Sequence, residues 1–410
     1  MKRAIPHSVL ATALLSACYL LHAGSAHAQA ADATTARYTV KLLSKDLGAK
    51  PTIGYSINNL GWVAGRAQTT QGGRQAILWR DGNPTPLGAL GKDRNSMVRW
   101  PVKNTIGLVS GISHTSRIDP LNERFSCGAF LPAAASYVCR GFVWRNGAMR
   151  ELPTFGSADT HGFATGTNNH AQTVGWAEFD ALDASCVPGN AFNQQRRFSA
   201  ALWGPEPDRI RELPPLPLPG HSTSAATAIN DRGQVVGISG KCDQGVGRES
   251  ALEAVLWENG LPQRIPNLGG NGWHTPNMIN ENGVVVGFSA YDPALPADSA
   301  KTQGFLWSQA TGLEPIAFLA GDDDATANSI NNHDQVVGMS CGAVCRAYVW
   351  QDGRSVDLNA LRQPGSSSNA ILVSANDIDD LGRITGQALY RPKGASADVV
   401  VAFVASPVQD

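Results

Sequence analysis

Apolar residues fall along this chain in short runs, bounded by Asn, Asp, Gly and Pro, and the runs repeat. Short β-branched runs between turn residues predict strands, and recurrence at a fixed period predicts a repeat architecture. One recurring phrase is an apolar residue, then Asn or Asp, a turn, and a valine-rich strand ending in Gly. It reads Ile57-Asn58 with Val63-Ala64-Gly65, Ile229-Asn230 with Val235-Val236-Gly237, and Ile279-Asn280 with Val285-Val286-Gly287. It returns as Ile330-Asn331 with Val336-Val337-Gly338 and as Ile378-Asp379 with Ile384-Thr385-Gly386. Weaker copies begin at Lys103-Asn104 and at Thr167-Asn168, which makes seven.

A second phrase follows each of the first six copies: a strand that closes on Trp79, Trp144, Trp203, Trp257, Trp307 or Trp350. The seventh, Ala402-Phe403-Val404-Ala405, lacks the Trp. Asp81-Gly82, Asn146-Gly147, Asn259-Gly260 and Asp352-Gly353 come soon after, and such pairs supply the positive φ of two-residue hairpins. A third phrase, such as Pro86-Leu87-Gly88 or Glu151-Leu152-Pro153, ends each unit. Each unit of roughly fifty residues thus holds four short strands, a to d, in a meander, as a propeller blade does.

The seventh unit stops after its third strand. The stretch Tyr38-Thr39-Val40-Lys41-Leu42-Leu43 precedes the first unit and has strand character. The chain therefore reads as all-β, a seven-bladed β-propeller whose N-terminal strand completes the last blade and leaves few free sheet edges. One Trp per blade at one position is expected to pack neighbouring sheets together. The Asn of each turn is expected to bond its own backbone, since no turn has the alternating carboxylates of a calcium loop.

These phrases resemble the HAF-type extracellular repeat family, named for the tripeptide before the Trp. The resemblance runs from about residue 38 to 405. The His of that tripeptide is replaced here by Gln75, Arg140, Ser199, Glu253, Gln303, Arg346 and Val401. The resemblance implies an exported repeat protein, with no defined activity attached.

Composition agrees with many turns and little helix: 43 Gly among 410 residues, and only 16% charged. The net charge is −1 and no Lys/Arg run occurs, which removes the electrostatic footprint of a nucleic-acid or polybasic membrane binder. Lys2 and Arg3, an apolar run from Val9 to Leu21, and the small residues around Ala26-His27-Ala28 predict a signal peptide over 1–30. Residues 31–410 then form one exported propeller domain, periplasmic or extracellular. Leu15-Ser16-Ala17-Cys18 also resembles a lipobox, the alternative being a lipid anchor on Cys18. The run is short for a membrane span and no second apolar segment follows, so no transmembrane anchor is expected.

Six further cysteines in an exported chain predict disulfides. Of the fifteen pairings, chain position suggests Cys127–Cys139, Cys186–Cys242 and Cys341–Cys345, all in b–c loops. Those loops vary in length, most of all in blades 2 and 3, and lie with the d–a connections on one face. Variable loops on a rigid frame are where binding residues gather.

On that face His161, His221 and His274 each precede strand a of blades 3, 4 and 5. Asp159, Trp273 and the run Asp322, Asp323 and Asp324 lie in the same connections. If these met near the axis they would hold a divalent metal ion or polarise a substrate acid group. Gly338-Met339-Ser340-Cys341-Gly342 fits G-x-S-x-G, but no helix follows it, so it is not read as a nucleophile elbow. The sequence thus points to a binding module that takes a glycan, peptide or protein on its loop-rich face. The alternative is a metal-assisted lyase or hydrolase with a His/Asp cluster at the channel mouth. Fold alone does not choose between them.

Overall fold

The computed structural model describes residues 32–408, apart from 44–50, 70–72, 124–126, 129, 132, 134–135, 187–192, 207, 243–251 and 367–368. The proposed signal peptide and Cys18 lie outside the described residues. The chain forms seven separate four-stranded antiparallel sheets. Six are sequential meanders over 52–86, 96–151, 162–213, 223–265, 274–315 and 324–357. The seventh joins Ala370–Ile378, Ile384–Tyr390 and Val399–Pro407 to Tyr38–Leu42. In that last pairing Tyr38 faces Pro407 and Leu42 faces Phe403, so the N-terminal strand supplies the missing strand d. Strand a of blade 1 packs on blade 7, which closes the ring. The only helical turn among the described residues is Ala297–Ser299, and no helix there is long and apolar enough to cross a membrane.

The recurring residues have structural work that explains their recurrence. Asp81 and Gly82 take φ of 53° and 81°, and Asn146, Asn259 and Asp352 head the same positive-φ pairs. Two consecutive positive φ values are the type I′ turn that matches strand twist. The Gly at the third residue of strand b faces a bulge in strand a in every blade but the second. A Cβ on Gly287 would lie 2.2 Å from the Thr275 carbonyl oxygen, and one on Gly338 1.9 Å from that of Thr326. No side chain fits there. The Trp residues lie in the seams between sheets: Trp79, Trp203 and Trp257 are fully buried. Trp203 Nε1 donates to the Pro153 carbonyl and Trp257 Nε1 to that of Pro214, both at 2.8 Å, which ties each to the preceding blade.

Two hydrogen-bonded rings join the blades around the axis. In the first, the turn Asn of one blade donates through Nδ2 to the next. Asn58 reaches the Asn104 carbonyl, Asn168 that of Asn230, Asn230 that of Asn280, Asn280 that of Asn331, and Asn331 that of Asp379. Each Oδ1 meanwhile accepts backbone N–H groups of its own turn, as Asn280 does from Asn282 and Val284. The seventh member is Asp379, which has no N–H to give. Arg383 replaces it: Nε donates to Asp379 at 2.6 Å and Nη2 reaches the Asn59 carbonyl at 3.0 Å.

The second ring uses the side chain three residues before that Asn. Thr165 donates to the Ala226 carbonyl, Thr227 to Pro276, Asn277 to Ala327, Asn328 to Ala375 and Asn376 to Gly54. Blades 3 to 7 are thereby stapled in order. Blades 1 and 2 carry Tyr55 and Pro101 at this position instead. Blade 1 meets blade 2 through Ser56, whose Oγ accepts the Val102 N–H at 2.8 Å. Strand a of blade 2 is correspondingly reduced to Ser96–Met97, since Pro101 has no N–H for a ladder.

Candidate functional site

All three expected disulfides are present, and all lie at the b–c ends of the blades, with Cys139, Cys341 and Cys345 inside strands rather than loops. Cys341–Cys345 clamps a hairpin tip, and no helix follows Ser340, so the G-x-S-x-G match is not an elbow. Cys186–Cys242 joins the loops of blades 3 and 4. Cys127–Cys139 closes the blade 2 loop, in which Phe130 and Leu131 donate their N–H groups back to the Cys127 carbonyl. That tight turn sets Phe130 over the channel. Its ring meets Phe163 at 4.8 Å and Trp100 at 5.7 Å, both edge to face. Phe163, Trp176 and Phe198 of blade 3, with Ala225 and Ile238 of blade 4, join one hydrophobic cluster there.

Beside this cluster a cavity of about 380 Å³ opens, lined from blades 1, 2, 5, 6 and 7. Five aromatic rings line it: Tyr55, Trp100, Phe130, Trp273 and Phe288. Among the aromatic rings lie polar groups: Asn277, Asn328 and Asn376 from the staple ring, with Thr275, the cross-strand partner of Phe288, and Gln387. The volume falls within the roughly 300–1,000 Å³ of small-molecule sites, and an apolar lining with a few fixed polar groups is their usual make-up.

The cavity edge is positive. The Arg99 guanidinium sits 4.7 Å from the Tyr55 ring centre and 5.3 Å from that of Trp100. Arg66 and Arg74 act on the same tyrosine. Burial favours the neutral phenol, yet the charges of Arg99, Arg66 and Arg74 outweigh it and hold the Tyr55 pKa below the ordinary value. Arg74 is itself pushed down by burial and by Arg66. Arg74 donates to the Phe130 carbonyl, which fixes the loop tip on the channel.

The three histidines do not meet. His161 is buried against blade 2, where its Nδ1 accepts the Cys139 N–H at 3.0 Å. His274 is buried against blade 4; its Nε2 donates to the Ile265 carbonyl at 3.1 Å, and burial lowers its pKa to about 4. His221 is half-buried, bonded to Ser239 Oγ at 2.9 Å, and burial lowers its pKa too. The aspartates are held locally: Asp322 by Arg346 and Ser340, Asp323 by Lys301, and Asp324 by Thr302. Asp159 bonds none of these histidines in the described network. Of the expected residues only Trp273 lines the cavity.

Three groups of ligand-type side chains lie within 4.8 Å of one another among the described residues. Two contain disulfide sulfurs, which have no thiolate to offer. The third is Asp119, Glu123 and His161, with Glu178 beside them. Burial and the Glu178 charge push Glu123 up to about 7. Burial opposes a charge on His161, but Glu178, Asp119 and Glu123 raise its pKa. With Nδ1 accepting from Cys139, the neutral ring carries its proton on Nε2, facing Asp119 at 3.4 Å. The lone pair a metal would need is therefore in use. Glu123 also accepts the N–H groups of Gln195 and Arg196, at 2.8 and 2.7 Å. The group ties the blade 2 loop to blade 3.

Tyr55, Arg99 and Trp100 belong to none of the recurring phrases. The usable signal was positional: Tyr55 and Pro101 stand where other blades have Thr or Asn.

Comparison with known proteins adds the following. Residues 219–407, blades 4 to 7, match the family described as "Protein of unknown function (DUF3466)". No curated protein matches the chain. Among solved structures, virginiamycin B lyase from Staphylococcus aureus is 10% identical, over 91% of this chain and 99% of that one, with a TM-score of 0.47. A puromycin-hydrolyzing peptidase from Mycobacterium tuberculosis is 10% identical over 90% of this chain, with a TM-score of 0.47. This chain spans about half of it, 54%. A gluconolactonase from Xanthomonas campestris is 9% identical over 61% of this chain and 90% of that one, with a TM-score of 0.29.

Proposed function

We propose that this protein is an exported binding module of the HAF-type repeat kind, and that it takes its ligand in the cavity at the centre of its loop-rich face. The observation that carries this is the cavity itself. It has about 380 Å³ and is lined by five aromatic rings and by amides already fixed by the staple ring. Such amides lose little freedom on binding, and pre-organisation of this kind favours affinity. The disulfide-closed blade 2 loop supplies Phe130 to the rim, so stability of the loop and shape of the site are one property.

The enzyme reading needs a base and an electrophile in reach of a substrate. His161, His221 and His274 lie at separate seams, each with its own partner. Asp119 and Glu123 are buried within a loop-docking network. The binding reading is therefore preferred.

The test is calorimetric titration of the mature protein with panels of oligosaccharides and short peptides, beside Trp273→Ala. A ligand whose binding is lost in Trp273→Ala supports the reading. A ligand that binds both forms equally places the site elsewhere and defeats it.

A further inference from the structure

We infer that the cavity is an acidic-oligosaccharide site, in which Arg99 holds a sugar carboxylate while the aromatic side chains stack on the rings. This rests on the binding reading above and names its ligand class.

Three observations converge on it. The first is uncompensated charge. Arg66, Arg74 and Arg99 cluster around Tyr55, and none of them meets a carboxylate among the ion pairs of the described residues. Arg66 Nε is buried and has no hydrogen-bond partner. Arg66, which bonds the Tyr55 hydroxyl, and Arg74 are half-buried cations without a carboxylate, which is costly, and an anion held at the exposed Arg99 beside them would offset that cost. Guanidinium is also the group whose fork matches a carboxylate in two parallel hydrogen bonds.

The second is the pairing of aromatic rings with amides. Trp100, Trp273 and Phe288 offer flat apolar faces. Among them, Asn277 Nδ2 is spent on the Ala327 carbonyl, while its Oδ1 has no partner in the described network. Thr275 and Gln387 likewise face the cavity with side-chain bonding capacity to spare. A sugar ring presents the complement: an apolar face of C–H groups and an edge of hydroxyls.

The third is the break in the repeat. Five blades keep a Thr or Asn staple at one position. The two that abandon it, at Tyr55 and Pro101, flank Arg99 and Trp100. A structural bond has been given up where the charge and the aromatic rings are gathered, and nowhere else in the ring.

The experiment is calorimetric titration with oligogalacturonates and with neutral galacto-oligosaccharides of equal length. The proteins are the wild type, Arg99→Gln and Trp273→Ala. Arg99 is exposed, so Arg99→Gln should fold with an unchanged circular dichroism spectrum and melting temperature, which is checked first. The expected result is that the uronate series binds and the neutral series binds at least about tenfold more weakly. Arg99→Gln should erase most of that difference, and Trp273→Ala should weaken both series. Added salt should weaken only the uronates. Equal affinity of the two series, or uronate binding unchanged by Arg99→Gln, overturns the inference. If neutral sugars bind and Trp273→Ala abolishes it, the cavity reading survives while the acidic ligand class falls. If uronates bind and neither substitution matters, both fall. If neither series binds, the ligand class falls and the peptide panel decides the cavity reading.

Discussion

Replacing Lys103 by Met should destabilise the protein strongly at neutral pH and much less in mild acid. Lys103 stands where most blades have Ile in the repeat, and its Nζ lies 2.6 Å from Asp377 Oδ1. Asp377 is fully buried in strand a of blade 7. It also accepts from Ser329 Oγ in blade 6 at 2.5 Å and from the Ile57 N–H in blade 1 at 2.7 Å. One carboxylate thus joins four consecutive blades around the axis. Burial pushes its pKa up, and Lys103 with these hydrogen bonds pulls against that. Met keeps the length of the side chain and removes the charge, leaving the carboxylate buried without its cation. Losing one partner of a buried pair costs about 3–5 kcal/mol. The chain can limit the loss by protonating Asp377 on folding. A folded pKa above the unfolded value of about 3.9 costs about 1.4 kcal/mol for each pH unit above 3.9. That gives a ceiling of about 4 kcal/mol at pH 7 and about 1.5 kcal/mol at pH 5. The stabilising proton is fully bound in both states below the unfolded pKa, so the penalty vanishes there and grows as pH rises. Urea unfolding of wild type and Lys103→Met at the two pH values measures this. Lys103→Met/Asp377→Asn should lose less than the two single variants summed, since the orphaned charge is gone. A penalty equal at both pH values, or strict additivity, would refute the role given to this pair.

Other consequences follow from the same geometry. Gly287→Ala places a Cβ 2.2 Å from the Thr275 carbonyl and should cost about 1–3 kcal/mol in urea unfolding; an unchanged midpoint would show that the strand a bulge relaxes freely. His274 is neutral in the fold with its pKa lowered by burial to about 4, against about 6.5 unfolded, so stability should fall as pH drops between those values. The contribution at pH 5 is about 2 kcal/mol, and His274→Gln should flatten that part of the pH profile while leaving the neutral side in place. Cys127→Ser/Cys139→Ser should cost about 2–4 kcal/mol and also weaken any cavity ligand, because Phe130 leaves the rim; weakened folding with full ligand affinity would separate the loop from the site.

The sequence makes legible whatever the blades share. Strands, hairpin pairs, the Trp seams and the closing strand repeat seven times or complete a repeat, so each copy corroborates the others. The disulfides were legible because their loops are neighbours in a meander. The turn Asn bonds its own backbone, as its residue type implies, and the reach of Asn58, Asn230 and Asn280 to the next blade leaves no mark in the sequence. The histidines misled because small offsets turn a side chain into a different seam. His161 lies just before strand a, His221 two residues before it, and His274 is its first residue. Their buried partners, Cys139 N–H and the Ile265 carbonyl, belong to different blades and are far apart in sequence.

The site escaped for the opposite reason: it is made of departures from the pattern. A closed ring of equal blades has no preferred place for a ligand, because each inter-blade bond is repeated by the next. Function requires the symmetry to be broken, and each break needs a replacement bond. Here the replacements can be named. Asp379 cannot donate, so Arg383 spans blades 7 and 1. Tyr55 cannot staple blade 2, so Ser56 holds Val102. Lys103 replaces an apolar residue and reaches back to Asp377. All three lie between blades 7 and 2, but only the Tyr55 break lines the cavity with Arg99 and Trp100, whereas Lys103 and the Asn59 that Arg383 reaches lie at the a–b turns. A staple restored at that break, as in Tyr55→Asn, should therefore leave the fold intact and take away one aromatic ring of the cavity. Retained ligand affinity in Tyr55→Asn would mean that the broken symmetry serves the ring alone.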